Sequence, residues 1–227
     1  MRVAVIVPAY NEEARIGRVL DAVTKCALAH EVIVVIDGGT DRTAEVARKY
    51  PKVRVVELFH NVGKGGAMAM GAASTDADVL CFVDADLLGL RPEHVDKIVL
   101  PLLAGTCDMC IGVFRGGRFL SDTAQLISPY ISGQRAVTRK FFESIPYLAD
   151  IRLGVEVTIN TIAKRQKLKV QRVVLHGVSN TFKEEKMGLI KGAKARTRMY
   201  REIAQAMVRV QRRELASKRP KPPKKKK

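Results

Sequence analysis

The sequence predicts an α/β protein built on a mostly parallel sheet with helices on both faces. Two observations carry this. Short β-branched apolar runs alternate with segments of helical period through the first half of the chain. Four of those runs end in polar or glycine-rich text, at residues 8–13 (PAYNEE), 37–43 (DGGTDRT), 59–66 (FHNVGKGG) and 84–89 (DADLLG). Ligands of such sheets sit beyond the carboxyl ends of the strands, so the placement of these carboxylates and glycines points to a binding site.

The elements follow in order. Strands are predicted over Arg2 to Val7, Glu31 to Ile36, Val53 to Leu58, Val79 to Val83 and Asp108 to Val113, where β-branched residues cluster between turn signals. Between them, Ile16, Val19, Leu20 and Val23 share one helical face, Asp41 to Tyr50 reads as a short helix, and Gly65 to Ala73 as a helix of small residues. Pro92 suits the first turn of a further helix ending near Leu103. The β-α-β order requires right-handed crossovers. In the second half, Gly154 to Lys167 reads as a helix, Leu168 to Leu175 as a strand, His176 to Gly188 as a loop and Leu189 to Leu215 as a long helix. The remaining residues, 216–227, form a proline-broken polycation that is expected to be disordered.

Composition narrows the function classes. The chain has 227 residues, 47% of them hydrophobic, enough for a sizeable core. Its longest run without a charged residue is the 12 residues from Thr123 to Gln134, short of the roughly 18 a spanning helix needs. The opening residues meet Pro8 with no small-residue cleavage site behind them, so no secretory signal is expected. Four cysteines, at 26, 81, 107 and 110, then point to reduced thiols in a cytoplasmic setting. Cys107 and Cys110 form a lone CxxC on a predicted strand, where a three-residue offset directs the sulfurs to opposite faces; structural thiols are the reading. The net charge of +17 is uneven: Lys191 to Lys227 carries 15 basic and 2 acidic residues, while residues 1–190 are nearly balanced. The basic character belongs to an appendage, whose mixture of Leu, Ile, Val and Met with Lys and Arg suits an anionic membrane surface.

Two strings carry chemistry. Asp84-Ala85-Asp86 follows the apolar run VLCFV, and two carboxylates one residue apart at a strand end suit Mg²⁺ or Mn²⁺, which prefers one or two carboxylates plus substrate phosphates. Asn61-Val62-Gly63-Lys64-Gly65-Gly66 opens a helix, and its N-terminus with Lys64 favours an anion, although it matches neither GxxxxGK[ST] nor GxGxxG.

Taken together in this order, the four strand-end motifs over roughly residues 1–115 resemble the donor-binding half of nucleotide-sugar glycosyltransferases with the GT-A fold, of the family 2 type. The resemblance implies that Pro8, Ala9, Tyr10, Glu12 and Asp37 hold the nucleoside, that Lys64 lies beside the nucleotide, and that Asp84, Ala85 and Asp86 meet the metal and sugar diphosphate. Ile36 stands where the family often has a second Asp, leaving the base, UDP- or GDP-linked, undetermined. Residues 116–188 are similar to glucosyl-3-phosphoglycerate synthases. Ser132-Gly133-Gln134-Arg135-Ala136 matches their Ser-Gly-x-x-Ala loop, Gly154-Val155-Glu156 their Gly-Val-Glu helix, and His176 their metal-ligating histidine. Ser132, Gly133 and Gln134 are then acceptor-binding, Asp86 and His176 metal ligands, and Glu156, Asp150 and Arg135 catalytic candidates. Ser128-Pro129-Tyr130-Ile131 lacks the Asp that lipid-phosphate mannose synthases often carry ahead of Ser-Gly, which separates the chain from those enzymes.

The implied activity is metal-dependent transfer of a hexose from a nucleotide-diphosphate sugar to a small or lipid-linked acceptor. The cation, with Lys64 or Arg135, stabilises the departing diphosphate, and Glu156 or Asp150 takes the acceptor proton if the acceptor is a hydroxyl and the anomer inverts. A sugar-phosphate nucleotidyltransferase competes, but that class places a glycine-rich basic loop after its first strand, where PAYNEE stands. A nucleic-acid-binding protein gripping through the basic arm leaves the strand-end carboxylates unexplained. The sequence leaves oligomeric state, including a homo-oligomer, open.

Overall fold

The computed structural model describes residues 1–115, 132–151 and 154–180. The predicted helix over Leu189 to Leu215 and the polycationic end lie outside them. Along the described chain run β1 (Val3–Ala9), α1 (Ile16–Val23), β2 (Glu31–Ile36), α2 (Thr43–Arg48), β3 (Val53–Glu57), α3 (Lys64–Ala73), β4 (Val79–Phe82), β5 (Leu87–Leu88), α4 (Pro92–Leu103) and β6 (Met109–Arg115). Then come β7 (Arg135–Thr138), α5 (Arg139–Glu143), a 3₁₀ turn (Leu148–Asp150), α6 (Val155–Arg165), β8 (Val170–His176) and β9 (Ser179–Asn180).

Seven strands form one sheet in the order β3-β2-β1-β4-β7-β6-β8. All neighbours pair in parallel except β7, which runs antiparallel to both β4 and β6. β1 and β4 lie inside it, with every residue of β4 and all but Pro8 of β1 buried, which explains why they read as continuous apolar runs rather than alternating ones. Alternation still sorts their side chains. Val3, Val5 and Val7 face the core layer built from Val19 and Leu20 of α1 and Ile98 and Val99 of α4. Ala4 and Ile6 face the other layer, with Met68 of α3, Phe142 of α5 and Ile159 of α6. Burial of each such branched side chain contributes about 1.5–3 kcal/mol. Glycine keeps α3 close to the sheet: a Cβ on Gly71 would lie 2.4 Å from Ile6 Cγ2.

Every strand and helix predicted in residues 1–115 is present, with ends shifted by one or two residues. Apart from the two-residue β5, which was not predicted, differences lie in the second half. β7 and α5 were not predicted, because four residues, RAVT, are too few to show a period, and Thr138 caps α5 by accepting from Phe141 N at 3.3 Å. The loop expected from His176 contains β9, which pairs antiparallel with β5. Cys107 precedes β6, so strand alternation does not separate it from Cys110. Both thiols are buried in the same core layer, and all four cysteines are free.

Candidate active site

Three loops assemble beside the carboxyl ends of β1, β2 and β3. Ala9 O accepts from Asp37 N at 2.9 Å, which joins the first two strand ends. Asp37 is 4% exposed, and its two oxygens accept from Val62 N at 2.7 Å and Gly63 N at 2.9 Å. This carboxylate therefore occupies the amides ahead of α3, and Ile151 O takes Gly65 N at 3.0 Å. At the N-terminus of α3, expected to favour an external anion, Gly65 N is taken from within the fold, and the Lys64 side chain stands at the same end. Gly65 is required here because a Cβ would lie 2.3 Å from Leu148 O and 2.4 Å from Ile151 O. Pro8 is half-buried, Ala9 buried and Tyr10 exposed, while Glu12 pairs with Arg15 at 3.3 Å.

The centre is a cluster of charges. Lys64 Nζ donates to Asp84 Oδ1 at 2.6 Å and to Glu156 Oε1 at 2.5 Å. Gln134 Nε2 donates to Asp84 Oδ2 at 2.7 Å. Gly133 allows this approach, since a Cβ would stand 2.3 Å from Asp84 Oδ2. The three charged side chains are only 29%, 18% and 13% exposed for Lys64, Asp84 and Glu156, so little solvent screens them. Burial opposes the charge on Lys64, but Asp84 and Glu156 outweigh it and hold the ammonium above its ordinary pKa. Burial likewise opposes the Asp84 carboxylate, and Lys64, Gln134 and Arg135 outweigh it, keeping it below its ordinary range.

Arg135 lies beneath this cluster, fully buried. Its guanidinium donates to Asn160 Oδ1 at 3.0 Å, to Glu156 O at 3.4 Å and to Ser132 O, and its Nε has no partner among the described residues. Ser132 Oγ in turn donates to Gly112 O. Arg135, read from the sequence as a group facing the leaving diphosphate, instead ties the Ser132–Gln134 loop to the first turn of α6. The reason is its register: it starts β7 opposite Phe82 and Ile111, in the middle of the sheet. Burial pulls its pKa down, and the Glu156 and Asp84 carboxylates resist. Asn160 was missed by sequence reasoning, although its place one turn after Glu156 was the available signal.

Asp86 and His176 flank the pairing of β5 with β9 at its opposite ends. β5 begins one residue after Asp86 and β9 three residues after His176, and they pair Leu87↔Asn180 and Leu88↔Ser179. Gly89 and Gly177 touch closely, a Cβ on Gly89 falling 2.2 Å from Gly177 O. Asp86 is half-buried, His176 exposed and Ala85 buried. Among the described residues no three or more His, Cys, Asp or Glu side chains gather as a metal cage. The antiparallel register sets Asn180 opposite Leu87, beside Asp86, and leads His176 away towards Arg91 and His94, so the metal-ligand pair expected from the resemblance is not brought together by these strands; Asp86 is the carboxylate that suits a cation completing its shell from substrate phosphates. Asp150 ends the 3₁₀ turn against α3 with its side chain exposed, outside the hydrogen-bonded cluster.

A mostly parallel sheet with this carboxylate and lysine cluster at its edge defines a GT-A fold. The chain belongs to glycosyl transferase family 2, whose description it matches over residues 4–169. It is similar to dolichyl-phosphate beta-glucosyltransferase of Mus musculus, at 40% identity over 112 residues, 43% of this chain and 34% of that protein. It is also similar to glucosyl-3-phosphoglycerate synthase of Mycobacterium tuberculosis, at 29% identity over 197 residues, 70% of this chain and 60% of that one. The crystal structure of the latter with Mn²⁺, uridine diphosphate and glucosyl-3-phosphoglycerate superposes with a TM-score of 0.66 at 28% identity, covering 79% of this chain and 72% of that one. The chain thus spans between about a third and three fifths of the length of these curated relatives.

Proposed function

We propose that this chain transfers a hexose from a nucleotide-diphosphate sugar, UDP- or GDP-linked, to a hydroxyl or phosphate oxygen of a small or lipid-linked acceptor. The observation that carries the reading is Lys64 held, at the carboxyl edge of the sheet, between Glu156 and Asp84, which stands two residues before Asp86. Pro8, Ala9, Tyr10, Glu12 and Asp37 form the nucleoside end, and Ser132, Gly133 and Gln134 the acceptor loop. Asp86, with His176 as the ligand the family resemblance offers, would hold a divalent cation, Mg²⁺ or Mn²⁺, whose chemistry when bound is to neutralise charge on the departing diphosphate. Relatives support this, since the mycobacterial synthase crystallises with Mn²⁺ or Mg²⁺ and uridine diphosphate.

The Lys64 ammonium, shared by Asp84 and Glu156, is the cation a phosphate oxygen of the donor would meet. In the transfer, the bond from the anomeric carbon to the diphosphate oxygen breaks and one to the acceptor oxygen forms. If the acceptor is a hydroxyl and the anomer inverts, Glu156 takes its proton; if the anomer is retained, Glu156 orients the acceptor. Arg135 acts at one remove, by fixing the backbone on either side of the site.

The test is a transfer assay with UDP-glucose and GDP-mannose, against 3-phosphoglycerate and dolichyl phosphate, with and without Mn²⁺. Metal-dependent release of nucleoside diphosphate with glycosylated acceptor is the expected result, abolished by Asp86→Ala with the fold retained. Full transfer in excess chelator sinks the metal reading. We place the protein in the cytoplasm, with the basic arm from Lys191 onward attaching it loosely to anionic membranes, where each Lys or Arg contributes on the order of 1 kcal/mol. Among the described residues no helix is long and apolar enough to cross a membrane. The full chain should sediment with anionic but not neutral vesicles, less at high salt, and more strongly than a chain ending at Leu215.

A further inference from the structure

The two carboxylates that share Lys64 are not held alike. Asp84 is anchored at both oxygens, one by Lys64 at 2.6 Å and the other by Gln134 at 2.7 Å, with Gly133 packed against it. Glu156, among the described residues, has its carboxylate held by Lys64 alone, at 2.5 Å. Arg135 reaches its backbone carbonyl at 3.4 Å, so the side chain is the part an incoming anion would displace. Any anion that draws on the Lys64 ammonium therefore competes with Glu156 before it competes with Asp84.

We propose that Lys64 is a donor-responsive latch on Glu156: it masks this carboxylate until a nucleotide diphosphate takes up part of the ammonium's charge, and only then is Glu156 released towards the acceptor. The inference rests on the proposed transferase reading. It makes the order of events a property of one side chain. Without donor, the Glu156 carboxylate is held on Lys64 and turned from the acceptor; with donor, the diphosphate replaces it on Lys64. The cluster of Lys64, Arg135, Asp84 and Glu156 carries two positive and two negative charges in a part-buried setting. Donor affinity is thus reduced by the carboxylate that Lys64 must give up.

Removing that carboxylate should tighten nucleotide binding even as it lowers turnover, which loss of a merely structural contact would not do. Titration of the full chain with uridine diphosphate in excess Mn²⁺ reads this directly. Glu156→Gln should bind uridine diphosphate roughly three- to tenfold more tightly than the wild type, while transfer falls. In a Lys64→Gln background the same change should give a smaller gain, because only direct repulsion between carboxylate and phosphate is then relieved. Unchanged or weaker binding by a Glu156→Gln protein of normal thermal midpoint overturns the latch. If Glu156→Gln does not fold, Glu156→Asp, which withdraws the carboxylate by one methylene, should shift the affinity in the same direction, and no shift overturns the latch equally. A wild-type chain that binds neither uridine nor guanosine diphosphate with Mn²⁺ overturns the transferase reading itself, and the latch with it.

Discussion

Gly133→Ala places a methyl group where the structure has room for none. The added Cβ would lie 2.3 Å from Asp84 Oδ2 and 2.5 Å from Oδ1, against ordinary contacts of 3.4 Å or more, so about 1 Å of movement is needed. The Asp84 carboxylate cannot yield that distance and keep both its 2.6 Å bond from Lys64 and its 2.7 Å bond from Gln134. Loss of one charge-assisted hydrogen bond in this part-buried setting costs about 1.5–3 kcal/mol. If the cost falls on the bound state, uridine diphosphate affinity in Mn²⁺ drops about 10- to 100-fold; if it falls on the fold, the thermal midpoint drops by several degrees. Calorimetric titration and a melt of the same sample measure both. Affinity within twofold of wild type at an unchanged midpoint would refute the reasoning, since it would mean that the loop moves freely and that Gly133 does not set the position of Asp84.

Other perturbations test other parts of the site. His176→Ala should raise the Mn²⁺ concentration needed for binding uridine diphosphate while leaving metal-free stability within about 0.5 kcal/mol, because the side chain is exposed; an unchanged metal requirement removes His176 from the cation site. Asp41 joins the first two loops by accepting from Glu13 N and Thr43 N, each at 3.0 Å. Burial opposes its charge, but the Thr43 hydroxyl and these amides outweigh it and hold its pKa below the ordinary value. A depressed folded pKa stabilises above the unfolded value of about 4 and is lost as pH falls through the folded one. Asp41→Asn should therefore destabilise by about 1–2 kcal/mol at pH 7, with the gap to wild type closing in denaturant melts below about pH 4. Burial pushes the Cys26 and Cys110 thiols up to about 12, and Cys81 and Cys107 are buried too. An aromatic disulfide reagent at pH 8 should find no thiol in the native chain and 4 after denaturation.

How far these features could be read from the sequence depended on whether local chemistry or tertiary pairing created them. β1 and β4 were legible because burial on both faces leaves a continuous apolar run that no surface strand shows. Lys64, Asp84 and Glu156 were legible as site residues because they lie in motifs of fixed order. Their mutual contacts were not, since Lys64 and Glu156 are 92 positions apart and meet only when α6 docks beside α3. Arg135 misled for the same reason: its residue type reads as a phosphate partner, but its position is set by the pairing of β7, which four residues do not announce. Asp37 was legible as functional but not as the carboxylate that holds the loop before α3, because a cap from another strand's end leaves no local signature. The β5 to β9 pairing was invisible, two residues on each side being too short for any pattern.

The place of β7 bears on how the chain acquires its shape. A strand from late in the sequence fills the gap between β4 and β6, so the donor motifs belong to a sheet that cannot close until Arg135 to Thr138 has been synthesised. The bond from Gln134 to Asp84 already spans 50 residues. Until that segment arrives, β4 and β6 present apolar edges with unpaired amides and carbonyls, the condition in which nascent chains associate with one another or with chaperones. A fragment ending at Arg115 would retain the nucleotide-binding motifs in full, yet it would lack the strand that joins them to β6. Folding on the ribosome is thus tied to the Ser132–Gln134 loop, and the proposed nucleotide binding should emerge during synthesis as a single step once β7 is made.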